Sequence, residues 1–227
     1  MGVSRAGTRG VLLQLALLVA ALALDARPAL AQSWGASVHM GTLGAGVRVA
    51  VSLDEVWNLR GGIDVQPVDI EVSESDVDFS VELPTPALWA LIDWHPGGGG
   101  FRFTGGAVHF GRPLAIEGAP TEEWELEGNE YTPAEVGTVR GSLGTQQSGP
   151  YVGLGWGNAA GPGLGFALDL GIVAHGTPEF SFDATGPAST DAQFRSDLDA
   201  EAESINDDIP SLAQVYPILN LGFSFGF

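Results

Sequence analysis

Hydrophobic and polar residues alternate with period two along most of this chain. The last stretch is the plainest case. Leu219, Leu221, Phe223, Phe225 and Phe227 take the odd positions, and Tyr216, Ile218, Asn220, Gly222, Ser224 and Gly226 the even ones. A strand turns successive side chains to opposite faces, so this segment has one bulky apolar face and one mostly small or polar face. Upstream, Leu164, Phe166, Leu168, Leu170 and Ile172 alternate with Gly165, Ala167, Asp169, Gly171 and Val173. Val152, Leu154 and Trp156 alternate with Gly153, Gly155 and Gly157; Val47, Val49, Val51 and Leu53 alternate with Arg48, Ala50 and Ser52. Ile63 and Val65 oppose Arg60, Asp64 and Gln66. A further apolar face is expected on the odd positions Phe79, Val81, Leu83, Thr85, Ala87, Trp89 and Leu91, which places Glu82 on the polar side. Charges thus keep falling opposite the apolar face. Lipid outside and a polar interior explain that directly, whereas a soluble sandwich would leave the terminal aromatics exposed.

The connections fall into two classes. Those around Asp54-Glu55, His95 to Gly100 and Ala159 to Gly163 are short, and each has an aromatic neighbour: Trp57, Trp94 with Phe101, and Trp156. Such rings suit a membrane–water boundary. Those at about 69–77, 113–147 and 186–213 are long. Short periplasmic turns and long outer loops are the asymmetry of outer-membrane barrels, which have even strand numbers. The expected fold is all-β, an eight-stranded antiparallel up-and-down transmembrane β-barrel with long acidic outer loops and one short loop helix. Trp34 to Met40 supplies the first strand, turning at Gly41 to Gly44. Ten strands remain open if 113–147 hides a hairpin that includes Val136 to Leu143. Pro84 and Pro86 remove ladder donors and are expected at a bulge or where a strand leaves the membrane. The Gly105-Gly106 pair is a candidate for shifting the faces of Val108, His109 and Phe110.

The N-terminus adds an address. Arg5 and Arg9 precede an apolar run from Val11 to Leu24, and Ala29-Leu30-Ala31 is a small-x-small cleavage site. This is a secretory signal, too short to span a bilayer as a helix. The expected division is residues 1–31 as cleaved signal and 32–227 as the barrel. The 227-residue chain has no cysteine and no lysine, with nine arginines against 28 acids and a net charge of -19; without residues 1–31 the charge is -21. That excludes disulfides and thiolate centres and argues against nucleic acid.

Asn220-Leu221-Gly222-Phe223-Ser224-Phe225-Gly226-Phe227 resembles the terminal signal of Gram-negative outer-membrane barrels, with Asn220, Gly222, Phe225 and Phe227 carrying the likeness. The layout from Leu43 to Phe227 is similar to OmpW and OmpA-type eight-stranded barrels. Pro150 to Gly157 also resembles a block of a little-characterised proteobacterial outer-membrane family. The resemblance implies insertion in the outer membrane by the barrel-assembly machinery, with lipid and lipopolysaccharide as surroundings. It implies no reaction.

Eight strands enclose room for little more than side chains. Arg48, Arg60, Asp64, Glu82, Arg102 and Asp169 are expected to form a lumen charge network, because unpaired buried charge is very costly. A salt-bridged plug and a narrow or lateral path for small solutes both stay open; the OmpW resemblance supports the path. Ser37 and His39 share an expected inward face, and a lipid hydrolase would need a Ser–His pair with an orienting group facing lipid. No catalytic residue, metal site or cofactor is assigned. His95, His109 and His175 lack ligand spacing, and Gly153-x-Gly155-x-Gly157 has no helix after it for nucleotide binding. The acidic loops are a solvated surface, with divalent-cation capture as the functional alternative. Asp197-x-Asp199-x-Glu201 lacks the glycine and bidentate glutamate of a calcium loop. Thr190-x-x-Gln193 predicts a capping box, opening a helix with Phe194, Leu198, Ala202, Ile205 and Ile209 on one face.

Overall fold

The computed structural model describes residues 33–66, 70–74 and 77–227. The expected signal segment 1–31 lies outside them, as does part of the 69–77 connection. In chain order the strands are β1 (Trp34–Gly41), β2 (Gly44–Ser52), β3 (Trp57–Val65), β4 (Ile70–Glu74), β5 (Val77–Glu82), β6 (Ala87–Trp94), β7 (Phe101–Phe110) and β8 (Leu114–Gly118). They continue as β9 (Trp124–Leu126), β10 (Asn129–Tyr131), β11 (Val139–Gly144), β12 (Ser148–Trp156), β13 (Gly163–Ala174), β14 (Glu179–Ala184) and β15 (Val215–Gly226). Helix α1 spans Pro133–Val136 and α2 spans Ala192–Asp208.

Eight strands close an antiparallel barrel in the order β1-β15-β13-β12-β7-β6-β3-β2. Neighbours around the wall are neighbours among the barrel strands of the chain, the up-and-down topology expected. The seam is β1 against β15, from Gly35↔Gly226 to Gly41↔Asn220. The hairpin at Gly41 to Gly44 joins β1 to β2 as expected. Outside, the wall is apolar: Val38, Leu59, Leu88, Phe103, Leu154, Leu170 and Phe223 are all exposed. Period-two alternation puts one side chain in two there, and closure removes both edges.

A second, five-stranded sheet, β14-β11-β8-β5-β4, stands at the long-loop end. Its order follows that of the barrel strands β13, β12, β7, β6 and β3 to which its members connect. The segment 113–147 does hold a hairpin pair, β8 with β11 (Val139–Gly144), but it joins β14 in the outer sheet and leaves the barrel at eight.

The odd-numbered face expected over 79–91 is corrected here. Leu83 to Pro86 separates β5 from β6, so the two prolines mark the change from barrel to outer sheet. In β6 the odd residues Ala87, Trp89, Leu91 and Asp93 are buried inside, while Leu88, Ile92 and Trp94 are exposed outside. The expected shift at Gly105-Gly106 does not occur. Both ladders of β7 run without a break, and Arg102, Thr104, Val108 and Phe110 share the inner face. Gly106 serves close approach instead, since a Cβ there would meet Leu91 Cα at 2.8 Å.

Helix α2 begins one residue later than the capping box at Thr190 predicts. The Asp191 carboxylate accepts from the backbone N–H of Gln193 (2.8 Å) and Phe194 (3.1 Å), and the Thr190 hydroxyl is turned back to Pro187 in a 3₁₀ turn. Phe194, Leu198 and Ala202 are buried, the first two clustering with Leu126 and Val136, so the helix rests on the outer sheet and its hairpin. Asp197 is buried too. Its oxygens accept from Tyr131 (2.6 Å), Asn129 (2.8 Å) and Gln193 (2.7 Å). The hydrogen bond to Asp197 pushes the Tyr131 hydroxyl up to about 12 and holds the carboxyl below its ordinary range.

Candidate functional site: the barrel interior

The inner faces supply charges from β2, β3, β6, β7 and β13 at overlapping heights. Asp169 is the hub: it accepts from Arg48 (3.2 Å), Arg60 (3.0 Å) and Arg102 (2.7 Å). Asp93 pairs with Arg60 (2.5 Å), lies 3.6 Å from Arg102 and accepts from the Thr104 hydroxyl at 2.6 Å. Asp64 takes Arg48 (3.3 Å), His39 Nε2 (2.7 Å) and the Trp89 indole N–H (2.9 Å). The Arg48 guanidinium lies 4.8 Å from the Trp89 ring centre, and with its amide oxygen turned inward Asn220 accepts from Arg48 at 3.1 Å. Three arginines thus meet three aspartates, all at most 4 % exposed. Balance of charge and filled acceptors is the condition under which such burial is tolerated.

Small residues in the wall make this packing possible. A Cβ on Gly155 would come within 2.7 Å of the Arg102 guanidinium, and one on Gly62 within 2.5 Å of Arg48 Cγ. The glycines that look like a nucleotide loop are the space that the arginines occupy. Toward the long-loop end the lumen turns apolar. Leu43, Trp89, Phe110, Tyr151, Val173 and Ile218 form a buried cluster, with Trp89 and Tyr151 edge to face at 5.4 Å.

At the short-turn end Asn58 donates to Asn158 (2.9 Å) and meets His95 Nε2 at 3.1 Å, while His95 Nδ1 meets the Gly99 carbonyl at 2.9 Å. The carbonyl can only accept, so Nδ1 carries the proton and Nε2 accepts from Asn58. Burial lowers the pKa of His95. A His favoured neutral in the fold leaves stability unchanged above its unfolded value of about 6.5, and stability falls as pH drops below that. Denaturant midpoints are expected to decline as pH falls below about 6.5, and His95→Gln is expected to flatten that decline.

Five of the six residues expected in the charge network, Arg48, Arg60, Asp64, Arg102 and Asp169, lie together inside. Glu82 does not. It ends β5 in the outer sheet and pairs with Arg140 at 2.5 Å and Arg112 at 3.9 Å. Asp93, Thr104, Trp89 and His39 complete the network, and the first and third were missed because β6 was assigned the wrong parity. Trp94, expected at the boundary and therefore outward, was the clue that Asp93 points in. Trp57 and Trp94 stack at 6.2 Å outside the short-turn end, and Phe101 and Trp156 lie 6.2 Å apart beside them. In β15, Asn220 is buried inside and Phe225 is exposed outside, as is Phe227 just beyond the strand. A Cβ on Gly222 would meet His39 Cα at 2.7 Å.

Ser37, His39 and Asp64 have the types of a hydrolytic triad, and Asp64 does hold His39. The site is nonetheless inside the barrel, and His39 Nδ1 has no hydrogen-bond partner among the described residues. Ser37 and His39 are thus not joined by the hydrogen bond that activates a nucleophile.

No family model matches the chain, and no curated protein does. Among solved structures it is similar to Acinetobacter baumannii CarO, with a TM-score of 0.54 and 18% identity over 85% of this chain and 97% of that one. Acinetobacter baumannii CarO2 is similar at a TM-score of 0.57 and 17% identity, over 86% and 98%. At such identity the likeness shows the fold alone, the small closed eight-stranded antiparallel barrel.

Proposed function

We propose that the chain is an outer-membrane barrel whose lumen does not conduct and whose role is structural or binding. The observation that carries this is the interior itself, an arginine–aspartate lattice roofed by Trp89, Phe110 and Tyr151. An ion would have to part at least two charge pairs and then cross an apolar layer. Outer-membrane placement rests on the apolar outer wall and the tryptophans at the short-turn end, which faces the periplasm in this reading. Residues 1–31 act as the signal cleaved after Ala31, and Asn220, Gly222, Phe225 and Phe227 address the assembly machinery. Lipid and lipopolysaccharide surround the wall, and the acidic loops face outward as a solvated surface, with divalent-cation capture as the alternative use. No residue is assigned a catalytic role.

Bilayer recordings of the refolded full chain test this. Silence is expected from protein whose heat-shifted gel mobility shows a folded barrel; discrete conductance steps would overturn it.

A second reading, lateral passage of small uncharged compounds, is favoured by one feature. A groove of about 760 Å³ crosses the outer wall over β1 and β2, lined by Ala36, Val38, Met40, Val47, Ile63 and Phe223. Faster entry of a small hydrophobic dye into vesicles carrying the protein, in the absence of conductance, would select this reading.

A further inference from the structure

The two faces of the outer sheet differ in chemistry. On one, Arg140 donates to Glu117 at 2.7 Å and to Glu82 at 2.5 Å, and Ser142 meets Ser181 at 3.2 Å. The ladder places Ile116, Gly141 and Phe182 side by side on the other. Helix α2 and its hairpin cover this apolar face only in part. Phe182 and Val139 pack against their cluster, yet Ile116 is 48% exposed.

What is left open is a groove of about 580 Å³ between the sheet and the segment from Gly118 to Trp124. Drug-sized ligands occupy cavities of roughly this size. Phe180 and Phe182 meet edge to face at 4.9 Å, and Trp124 stands against Phe182 at 6.1 Å. A Cβ on Gly141 would come within 2.8 Å of Phe180 Cζ, so the glycine is what lets that ring lie over the strand. Glu122 and Glu123, both exposed, line the same groove. The arginine of the neighbouring strand, Arg140, points to the opposite face and is already paired. Among the described residues the groove therefore offers aromatic surface and carboxylates, with no cation in its lining.

We propose that this groove binds a small organic cation, an ammonium carried on an apolar body. The rings desolvate the body and attract the charge through their faces, and the two glutamates complement it. An anion meets repulsion, and a neutral compound loses the electrostatic part. The proposal deepens the binding role given above and rests on it for the outward placement of the sheet.

The test is calorimetric titration of refolded full-length protein in non-ionic micelles with benzyltrimethylammonium, its neutral isostere neopentylbenzene, and benzenesulfonate, with micelle-only titrations subtracted. Saturable binding of the cation is expected, weaker by about tenfold or more for the other two. Glu122→Gln with Glu123→Gln is expected to weaken it by a similar factor, and Phe180→Ala to abolish it. Heat-shifted mobility in every variant separates loss of the site from loss of the barrel. Equal binding of the neutral isostere, or undiminished binding by Phe180→Ala, would overturn the site. Conductance with cation binding retained would overturn the closed-lumen reading and leave this one standing.

Discussion

Asp169→Asn is expected to lower the urea resistance of the folded barrel more than neutralising any other lumen carboxylate. Asp169 is the acceptor shared by Arg48, Arg60 and Arg102, so its loss leaves three buried guanidiniums with one charge too few between them. Breaking a buried pair by removing one partner costs about 3–5 kcal/mol, because the remaining charge stays desolvated. Asp64→Asn and Asp93→Asn are expected to cost less. Arg48 keeps Asp169 in the first case, and Arg60 and Arg102 keep it in the second. Urea titrations read by heat-shifted gel mobility in micelles measure the difference. Adding Arg60→Met to Asp169→Asn should restore part of the loss, since it removes one of the charges left unpaired. Additive losses would show that Asp169 and Arg60 do not act as one network.

Trp89→Ala carries the second large effect, expected at about 3–5 kcal/mol for a large buried ring. The ring packs edge to face on Tyr151, lies under the Arg48 guanidinium and donates its N–H to Asp64. Alanine removes all three and opens a cavity between the charge network and the apolar roof. Trp89→Phe keeps a smaller aromatic ring and loses the donor; Asp64 still accepts from Arg48, so about 1–3 kcal/mol is expected for the one hydrogen bond lost to a charged acceptor. The comparison also tests which way β6 faces. A lipid-facing tryptophan, as simple alternation over 79–91 predicts, would lose little on either change. Bilayers should stay silent with Trp89→Ala, because the arginine–aspartate lattice below it remains.

That strand shows where local pattern fails. Leu88, Trp89, Ala90, Leu91 and Ile92 are apolar on both faces, so parity within the segment carries no information. A shift of one residue exchanges the inner and outer sets completely. The odd-numbered run 79–91 looked continuous only because β5 and β6 have the same spacing on the two sides of Pro84 and Pro86. Glu82 therefore lies in the outer sheet and Asp93 in the lumen, against the expected parity. In β2, β3, β7 and β13 a charge stands against apolar neighbours, and Arg48, Asp64, Arg102 and Asp169 lie buried on the inner face. The outer sheet is only partly legible for a different reason: β8, β11 and β14 are five or six residues long, and the sheet joins strands from three separate loops.

Local pattern sufficed for the barrel. Period-two alternation, three short turns flanked by aromatics and an apolar face on the last strand are properties of neighbouring residues, and only a closed sheet satisfies them all at once. The partners of Asp169, the entry of Asp93 and Trp89 into the lumen, and the joining of three long loops into one sheet were decided by closure. They depend on which strands become neighbours and in what register, and buried charge then selects the register that leaves no arginine without an acceptor.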